Sequence, residues 1–561
     1  MQEIRNSDIK NSSEEIKETP KGKLRVGVFL NSFELYAWQY ALLEKIINSN
    51  YARLEVIILN TYGKPKRSLK KAVYFSYIWL DNKISRVDRD VYGKKDPKEL
   101  KELLADIPAI KITPIRKKFL DYFNEKDIEK IKSLKLDVII RMGFRILRGG
   151  ILGAARYGIW SYHHADNSIM RGNPPGFWET FNGWPITGCV LQILTEDLDN
   201  GKVIYESWSL THPLSVARNR LGNFWKSVSF IPRKLEELHR IGREKFFEKV
   251  EEDNKHPFIY SSKLYTNPGN FEMTRLVAKH LFKVSCATLK DAYFLKQWIL
   301  MFELGGSMSP SFRTFKKIIP PKDRFWADPF VIHKDGKYYV FIEEGMFKTD
   351  KGHISLIVMD HKGNYKKPVK LLDKDHHMSY PFVFELDKKY YMIPETHFNK
   401  TVDIYECVSF PDKWKFKMNL MDNIRAVDTT PFHYRDKWWL FMNIVENEGA
   451  SYNDELFLFY SDDLFTNKWT PHPLNPIISD IRTARPAGKI FEINGEIYRP
   501  SQNHTGFNIN RIIVLNEKEY KEEIVSSVKP NWDEKIIRTH TFTHEGELTI
   551  IDGILKRPRW F

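Results

Sequence analysis

From Arg324 onward one short pattern returns five times, and it constrains the fold more than any other feature of the chain. The copies begin Asp328-Pro329-Phe330-Val331, Tyr380-Pro381-Phe382-Val383, Thr430-Pro431-Phe432-His433, Arg485-Pro486-Ala487-Gly488 and, more weakly, His540-Thr541-Phe542-Thr543. Each is followed by a turn and a second, mostly aromatic run: Gly336-Lys337-Tyr338-Tyr339, Lys389-Tyr390-Tyr391, Lys437-Trp438-Trp439, Gly495-Glu496-Ile497-Tyr498 and Gly546-Glu547-Leu548. A period of roughly 50 residues holding several short strands is the length of one four-stranded blade, so the repeats predict a five-bladed β-propeller over 311–561. A β-sandwich uses similar strands but does not repeat its sequence at this interval.

In such a ring the first strand of every blade lines a central channel, so equivalent positions of the repeats converge. The expected column is Asp328, Tyr380, Thr430, Arg485 and His540, with Glu344, Glu395 and Asp428 as nearby carboxylates. The flanks of these five positions are alike while the five residues differ in chemistry, which points to a binding site. Two carboxylates on either side of a bond are what glycoside cleavage requires. The alternative is that Asp328 and Asp428 only tie blade turns together.

The first half reads differently. Residues 24–30 (LRVGVFL) and 54–59 (LEVIIL) are short buried strands, and 34–47 between them has helical apolar spacing. Strand, helix, strand is how a parallel α/β sheet begins. No GxGxxG follows the first strand, so a dinucleotide fingerprint is missing. A helix near 127–134, a strand at 137–140 and a closing helix around 234–248 complete an α/β domain over 24–250. Residues 251–310 read as a connector in which 289–304 looks helical, and 1–23 as a disordered polar tail.

A chain of 561 residues is too long for one hydrophobic core. Its three cysteines, Cys189, Cys286 and Cys407, form no CxxC pair, so neither a disulfide framework nor a cysteine-rich zinc site is expected. With no secretory signal and no apolar run of membrane-spanning length, the expected location is the cytoplasm. The net charge of +15 is scattered in short clusters, densest at 64–71, and reads as solvated loops rather than a nucleic-acid surface.

The segment Tyr157-Gly158-Ile159-Trp160-Ser161-Tyr162-His163-His164-Ala165, continuing through Arg171-Gly172 to Trp178, resembles the signature of the folate-dependent formyltransferases. That family includes the methionyl-tRNA, glycinamide ribonucleotide and sugar N-formyltransferases, and its pattern runs Gly, Asn-x-His, then a loop ending Arg-Gly. Thr187-Gly188 with Leu198-Asp199-Asn200-Gly201 resembles a second family element, and Ile146-Leu147 through Ile151-Leu152 a third. The resemblance implies a Rossmann-like domain that takes the formyl group of 10-formyltetrahydrofolate. It puts His163 and Asp199 in the catalytic roles and Arg171, Gly172, Thr187, Gly188 and Gly201 around substrate or cofactor. In the chemistry it implies, an amine attacks the formyl carbon, charge grows on the formyl oxygen, and histidine and carboxylate manage that charge and the proton.

Ser161 stands where the family has asparagine. A hydroxyl is shorter than an amide, and a missing oxyanion donor costs on the order of a hundredfold in rate. Read from the residues alone, His163 could instead be a histidine that only satisfies hydrogen bonds. His163, His164 and Asp166 as a metal site is disfavoured, because adjacent strand residues point to opposite sides.

The second half, through WADPF, SYPFVFE, PET, VDTTPF and ARPAG, resembles the N-terminal domain of plant glucosamine inositolphosphorylceramide transferase, and its WADP also resembles arabinanase-like glycoside hydrolases. The plant protein's glycosyltransferase domain has no counterpart here. Together the resemblances imply formylation of an amino sugar, nucleotide-linked, with the propeller recognising sugar or glycan. A propeller-based glycosidase or glycosyl-transfer enzyme, and a non-catalytic glycan binder, are the two alternatives.

Overall fold

The computed structural model of the chain describes residues 22–63, 68–196, 201–256, 259–306 and 311–559. The tail before residue 22, the basic residues 64–67 and the candidate Asp199 lie outside the described residues.

The first half is a mixed α/β region around a seven-stranded sheet built from β1 (Leu24–Leu30), β2 (Ala52–Asn60), β3 (Ala109–Ile112), β4 (Val138–Arg141), β5 (Ile159–His163), β6 (Ile186–Ile193) and β7 (Lys202–Leu210). Their order across the sheet is β7-β6-β5-β4-β1-β2-β3. β1 to β5 are parallel, while β6 pairs antiparallel with both β5 and β7. Strand order therefore reverses between β1 and β4, the position at which open parallel sheets gather ligands beyond the carboxyl ends of their strands. The central strands are apolar on both sides because both faces are covered. One core holds Trp38, Leu42, Phe224 and Leu235 from helices; the other holds Phe123, Ile128 and Ile131.

The expected closing helix at 234–248 is two helices, Phe230–Ile241 and Arg243–Asp253, divided at Gly242 with φ 78°. The expected helix at 289–304 is also corrected. The helix Asn270–Tyr293 ends where the strand Phe294–Leu304 begins, and that strand pairs antiparallel along its whole length with Leu548–Pro558. Its neighbours bury both its faces, Ile299 and Met301 on one side and Leu300 and Phe302 on the other. A strand covered on both sides is a continuous apolar run, and periodicity alone does not separate it from a buried helix. The all-β region thus takes in a strand assigned to the connector.

After it come four four-stranded antiparallel sheets in chain order. A fifth sheet joins Phe294–Leu304 and Lys316–Ile318 to Ile536–Arg538, Phe542–Glu545 and Leu548–Pro558. The repeated turns have a common geometry. Asp335-Gly336, Asp387-Lys388, Arg435-Asp436 and Asn494-Gly495 each bridge two strands with both residues at positive φ, the two-residue hairpin turn that matches strand twist. Lys388, at φ 62°, bears the cost of a Cβ there. Lys388→Gly should stabilise the chain by about 1 kcal/mol, read as a higher urea midpoint. In the fourth unit the opening motif lies outside regular strands, Pro486 making an isolated bridge to Ser501, and in the fifth His540-Thr541 precede the strand Phe542–Glu545.

The two halves are welded. Lys226 Nζ meets Asp454 Oδ2 at 3.0 Å with both side chains 1% exposed, and Ser209 Oγ bonds the same carboxylate. Arg233 forks onto Glu455 at 2.8 and 2.9 Å and also reaches Glu446. Trp208 on the edge strand β7 exchanges backbone hydrogen bonds with Ser479 and Ile481, an isolated bridge between the two halves. Among the described residues no helix is long and apolar enough to cross a membrane.

Candidate functional site

β5 ends at the carboxyl edge of the parallel strands and carries Ser161 and His163 two residues apart, hence on one face. Opposite them on β6 are Gln192 and Val190. Arg141, the last residue of β4, donates from Nη1 to Ser161 Oγ at 3.0 Å and from Nε to the Arg145 carbonyl at 3.0 Å. A guanidinium therefore lies on the Ser161 hydroxyl. His163 is 8% exposed, and its Nε2 lies 2.8 Å from the Met170 carbonyl. A carbonyl only accepts, so Nε2 carries the proton, and Nδ1 becomes a donor only when the ring is charged. Asn167 donates to Gln192 Oε1 at 3.2 Å, while its own buried Oδ1 has no hydrogen-bond partner among the described residues.

The remaining expected residues are placed around this cluster unevenly. Thr187 lies on the opposite face of β6, bonded to Thr211 and Asn219 in a fully buried network, so it packs a helix rather than facing His163. Gly188 shares the site face; a Cβ there would come within 2.7 Å of the Asp166 backbone. Gly172, at φ 102°, passes so close to the Tyr265 carbonyl that a Cβ would sit 2.2 Å from it. Arg171 stacks on Tyr260 and reaches the Asn167 carbonyl at 3.4 Å, which anchors the loop after His163. Gly201 packs against the Ile193 carbonyl. His164 turns away, stacked 3.9 Å from Phe224, and burial with His163 beside it pushes it down to about 3. Arg141, Asn167 and Gln192 were not singled out from sequence. Arg141 carried a signal, a charge closing a buried parallel strand where ligands gather in such sheets.

A second cluster forms where the opening strands of the antiparallel sheets converge. Asp328 accepts from the Tyr380 N–H at 3.2 Å and from Thr541 Oγ1 at 2.8 Å. Tyr380 shares a hydrogen bond with Thr430 at 2.9 Å and accepts from the Gly488 N–H at 3.0 Å. Arg485 grips Asp428 through Nε at 2.5 Å and Nη2 at 3.2 Å, and lies 4.0 Å from Glu395. His540 lies 2.6 Å from Asp552 and 3.8 Å from Asp328. The five expected column residues and Glu395 and Asp428 thus share one network.

Two positions shift. Asp328, Tyr380 and Asp428 each open a bulge with φ of 50°, 44° and 52°, so Asp428, not Thr430, is their backbone equivalent. The third repeat places its proline after the bulge rather than inside it, which misled an alignment on proline. Glu344 does not join the network; strand alternation turns it to the sheet's side face, and its neighbour Glu343 takes the inward place, 3.1 Å from His377. Glu343, His377, His397 and Asp552 were not read from sequence.

Burial pushes Asp328 up to about 8 and Asp428 up to about 6, against the charges of His540 and Arg485 respectively. Burial also opposes ionisation of Glu395, but the bond from His397 and the charge of Arg485 outweigh it and hold that carboxyl below its ordinary value. Glu395 Oε2 is buried without a hydrogen-bond partner among the described residues. Asp328, His540 and Asp552 offer ligand atoms within 4.8 Å of one another. Three backbone N–H groups already point at Asp552, so the group is tied as a hydrogen-bonded knot rather than an open ligand set.

Residues 317–541 match the family model described as glucosamine inositolphosphorylceramide transferase 1, N-terminal. The glucosamine inositolphosphorylceramide transferase 1 of Oryza sativa subsp. japonica is 31% identical over 206 residues, 35% of this chain and 27% of that protein. A methionyl-tRNA formyltransferase of Prochlorococcus marinus is 36% identical over 84 residues, 15% of this chain and 25% of that protein. The chain thus spans about a quarter of the length of each of these curated relatives. A family 117 glycoside hydrolase from Zobellia galactanivorans aligns with TM-score 0.32 and 12% identity over 46% of this chain and 90% of that one, a likeness too slight to decide any chemistry. One chain therefore joins a segment similar to methionyl-tRNA formyltransferases to a segment that matches the N-terminal family model of glucosamine inositolphosphorylceramide transferase 1.

Proposed function

We propose that this chain is a transferase of glycan metabolism that moves a formyl group onto the amine of a nucleotide-linked amino sugar. In this reading residues 24–250 are a Rossmann-like formyltransferase domain, and the five sheets, counted from Phe294, are the blades of a propeller that recognises sugar or glycan. The observation that carries it is Ser161 and His163 on one face at the carboxyl edge of the parallel strands, with the Arg141 guanidinium donating to Ser161.

The residues present fit an acyl donor. The Arg141 guanidinium donates to Ser161 Oγ beside His163, and Asn167 Oδ1 is a buried acceptor in want of a proton donor. When bound, 10-formyltetrahydrofolate supplies the activated formyl group. The acceptor amine bonds to the formyl carbon and gives up a proton, the bond to the carrier nitrogen breaks, and that nitrogen takes a proton. Arg141 and a charged His163 would steady the negative formyl oxygen, so the guanidinium offsets the loss of the family's amide. Asn167 Oδ1 would accept from the amine and orient it. Asp199, assigned by motif, would take the amine's proton.

Incubating the full chain with 10-formyltetrahydrofolate and a panel of amino-sugar nucleotides should give a product heavier by one formyl group in place of one hydrogen, read by mass spectrometry. No adduct with any acceptor, and no folate binding by calorimetry, would sink the reading. The second reading puts glycan cleavage or transfer in the convergent cluster. It is favoured by carboxyls pushed up at Asp328 and Asp428 in the same cluster as one held down at Glu395, which supplies both an acid and a base.

A further inference from the structure

Where the first antiparallel sheet splays from the strand Lys316–Ile318 of the fifth, a cleft of about 830 Å³ opens away from the convergent cluster. That volume suits a small molecule of one or two rings. Its floor is Glu344, which strand alternation turned to this side. The carboxylate takes hydrogen bonds from Arg324 Nη1 at 3.0 Å, Trp326 Nε1 at 3.3 Å and Ser355 Oγ at 2.7 Å, with His353 Nε2 at 3.3 Å. Burial opposes its ionisation, but these bonds together win and hold it down at about 2. Four donors saturate it, so it fixes the floor rather than reading a ligand.

The rim is where recognition is left to happen. Lys351, Lys367 and Lys370 line one side, and Lys351 and Lys370 both sit 2.8 Å from the single carboxylate of Asp373. With Arg324, four cations face the cleft against three carboxylates, Glu344, Asp373 and Asp323, the last paired with Arg324 at 3.0 Å, which leaves a surplus of one positive charge. Tyr365 stands on the wall 45% exposed, beside Pro368 and Ile319. The cleft therefore combines surplus positive charge, one half-wet ring and a partly apolar wall. A phosphate dianion matches the first, and the flat face of a sugar ring matches the others.

We infer that this cleft binds a phosphorylated saccharide, its phosphate among Lys351, Lys367 and Lys370 and its ring against Tyr365. The site rests on the reading of the second half as a saccharide-recognising domain and adds to it the place and the charge of the ligand. Calorimetry on the full chain at low salt, with glucosamine 6-phosphate, glucosamine and inorganic phosphate as probes, tests it. Glucosamine 6-phosphate should bind at least tenfold more tightly than either other probe. Lys367→Glu should weaken it at least tenfold and Tyr365→Ala severalfold; both side chains are exposed, so neither change threatens the fold. His163→Ala should leave the binding unchanged, which separates this site from formyl transfer. Equal affinity for glucosamine, equal affinity for bare phosphate, no binding, or indifference to Lys367→Glu would each overturn the assignment, and would do so even in a chain that formylates amino sugars.

Discussion

His163→Ala is expected to lower kcat/KM for formyl transfer by about 10²–10⁴-fold, the range for a group that manages charge or a proton in the transition state. The loss should fall mainly on kcat, because the imidazole is asked to act on an oxygen that becomes negative only as the bond forms. Arg141→Met should cost about 10²-fold by the same argument, since it removes the donor resting on Ser161. Initial rates by mass spectrometry, with a urea melt of each variant as the folding control, check both. If His163→Ala keeps the full rate, the chemistry is elsewhere. If glycan turnover is then abolished by Asp328→Ala and Glu395→Ala, the convergent cluster is the active site.

The second large effect is on stability. Lys226 and Asp454 belong to different halves, lie 3.0 Å apart and are both 1% exposed. Lys226→Met leaves Asp454 buried beside Ser209 with its counter-charge gone, and should cost roughly 3–5 kcal/mol. The paired change Lys226→Met with Asp454→Leu should recover most of that, because two matched apolar groups need no compensation. Urea unfolding followed by tryptophan fluorescence reads both. If the single change proves nearly neutral, water reaches the seam and the halves are not locked there.

Legibility from sequence followed how local the determining interaction is. The hairpin turns were legible because a two-residue turn is specified by its own residues, as at Asn494-Gly495. The parallel strands were legible because burial on both faces leaves a continuous apolar run, as in LRVGVFL. The segment 289–304 was misread for the same reason, since its partner lies near the other end of the chain. Asp552 was missed because its role comes from three N–H groups contributed by a bulge and a loop, which no short motif encodes. Arg141 reaches Ser161 from the neighbouring strand, and only strand register brings the two together. The cleft could not be foreseen at all, because it depends on how far two sheets diverge.

The fifth sheet joins the strand Phe294–Leu304 to Leu548–Pro558. During synthesis the early strand leaves the ribosome long before its partner exists, and at ~5–20 residues per second the wait is on the order of ten seconds or more. For that interval the nascent chain carries a two-sided apolar strand with one whole edge unpaired, held on the other only by Lys316–Ile318. Chaperone demand in the cell should concentrate on that window, and a premature stop anywhere before residue 548 would strand the whole second half in it.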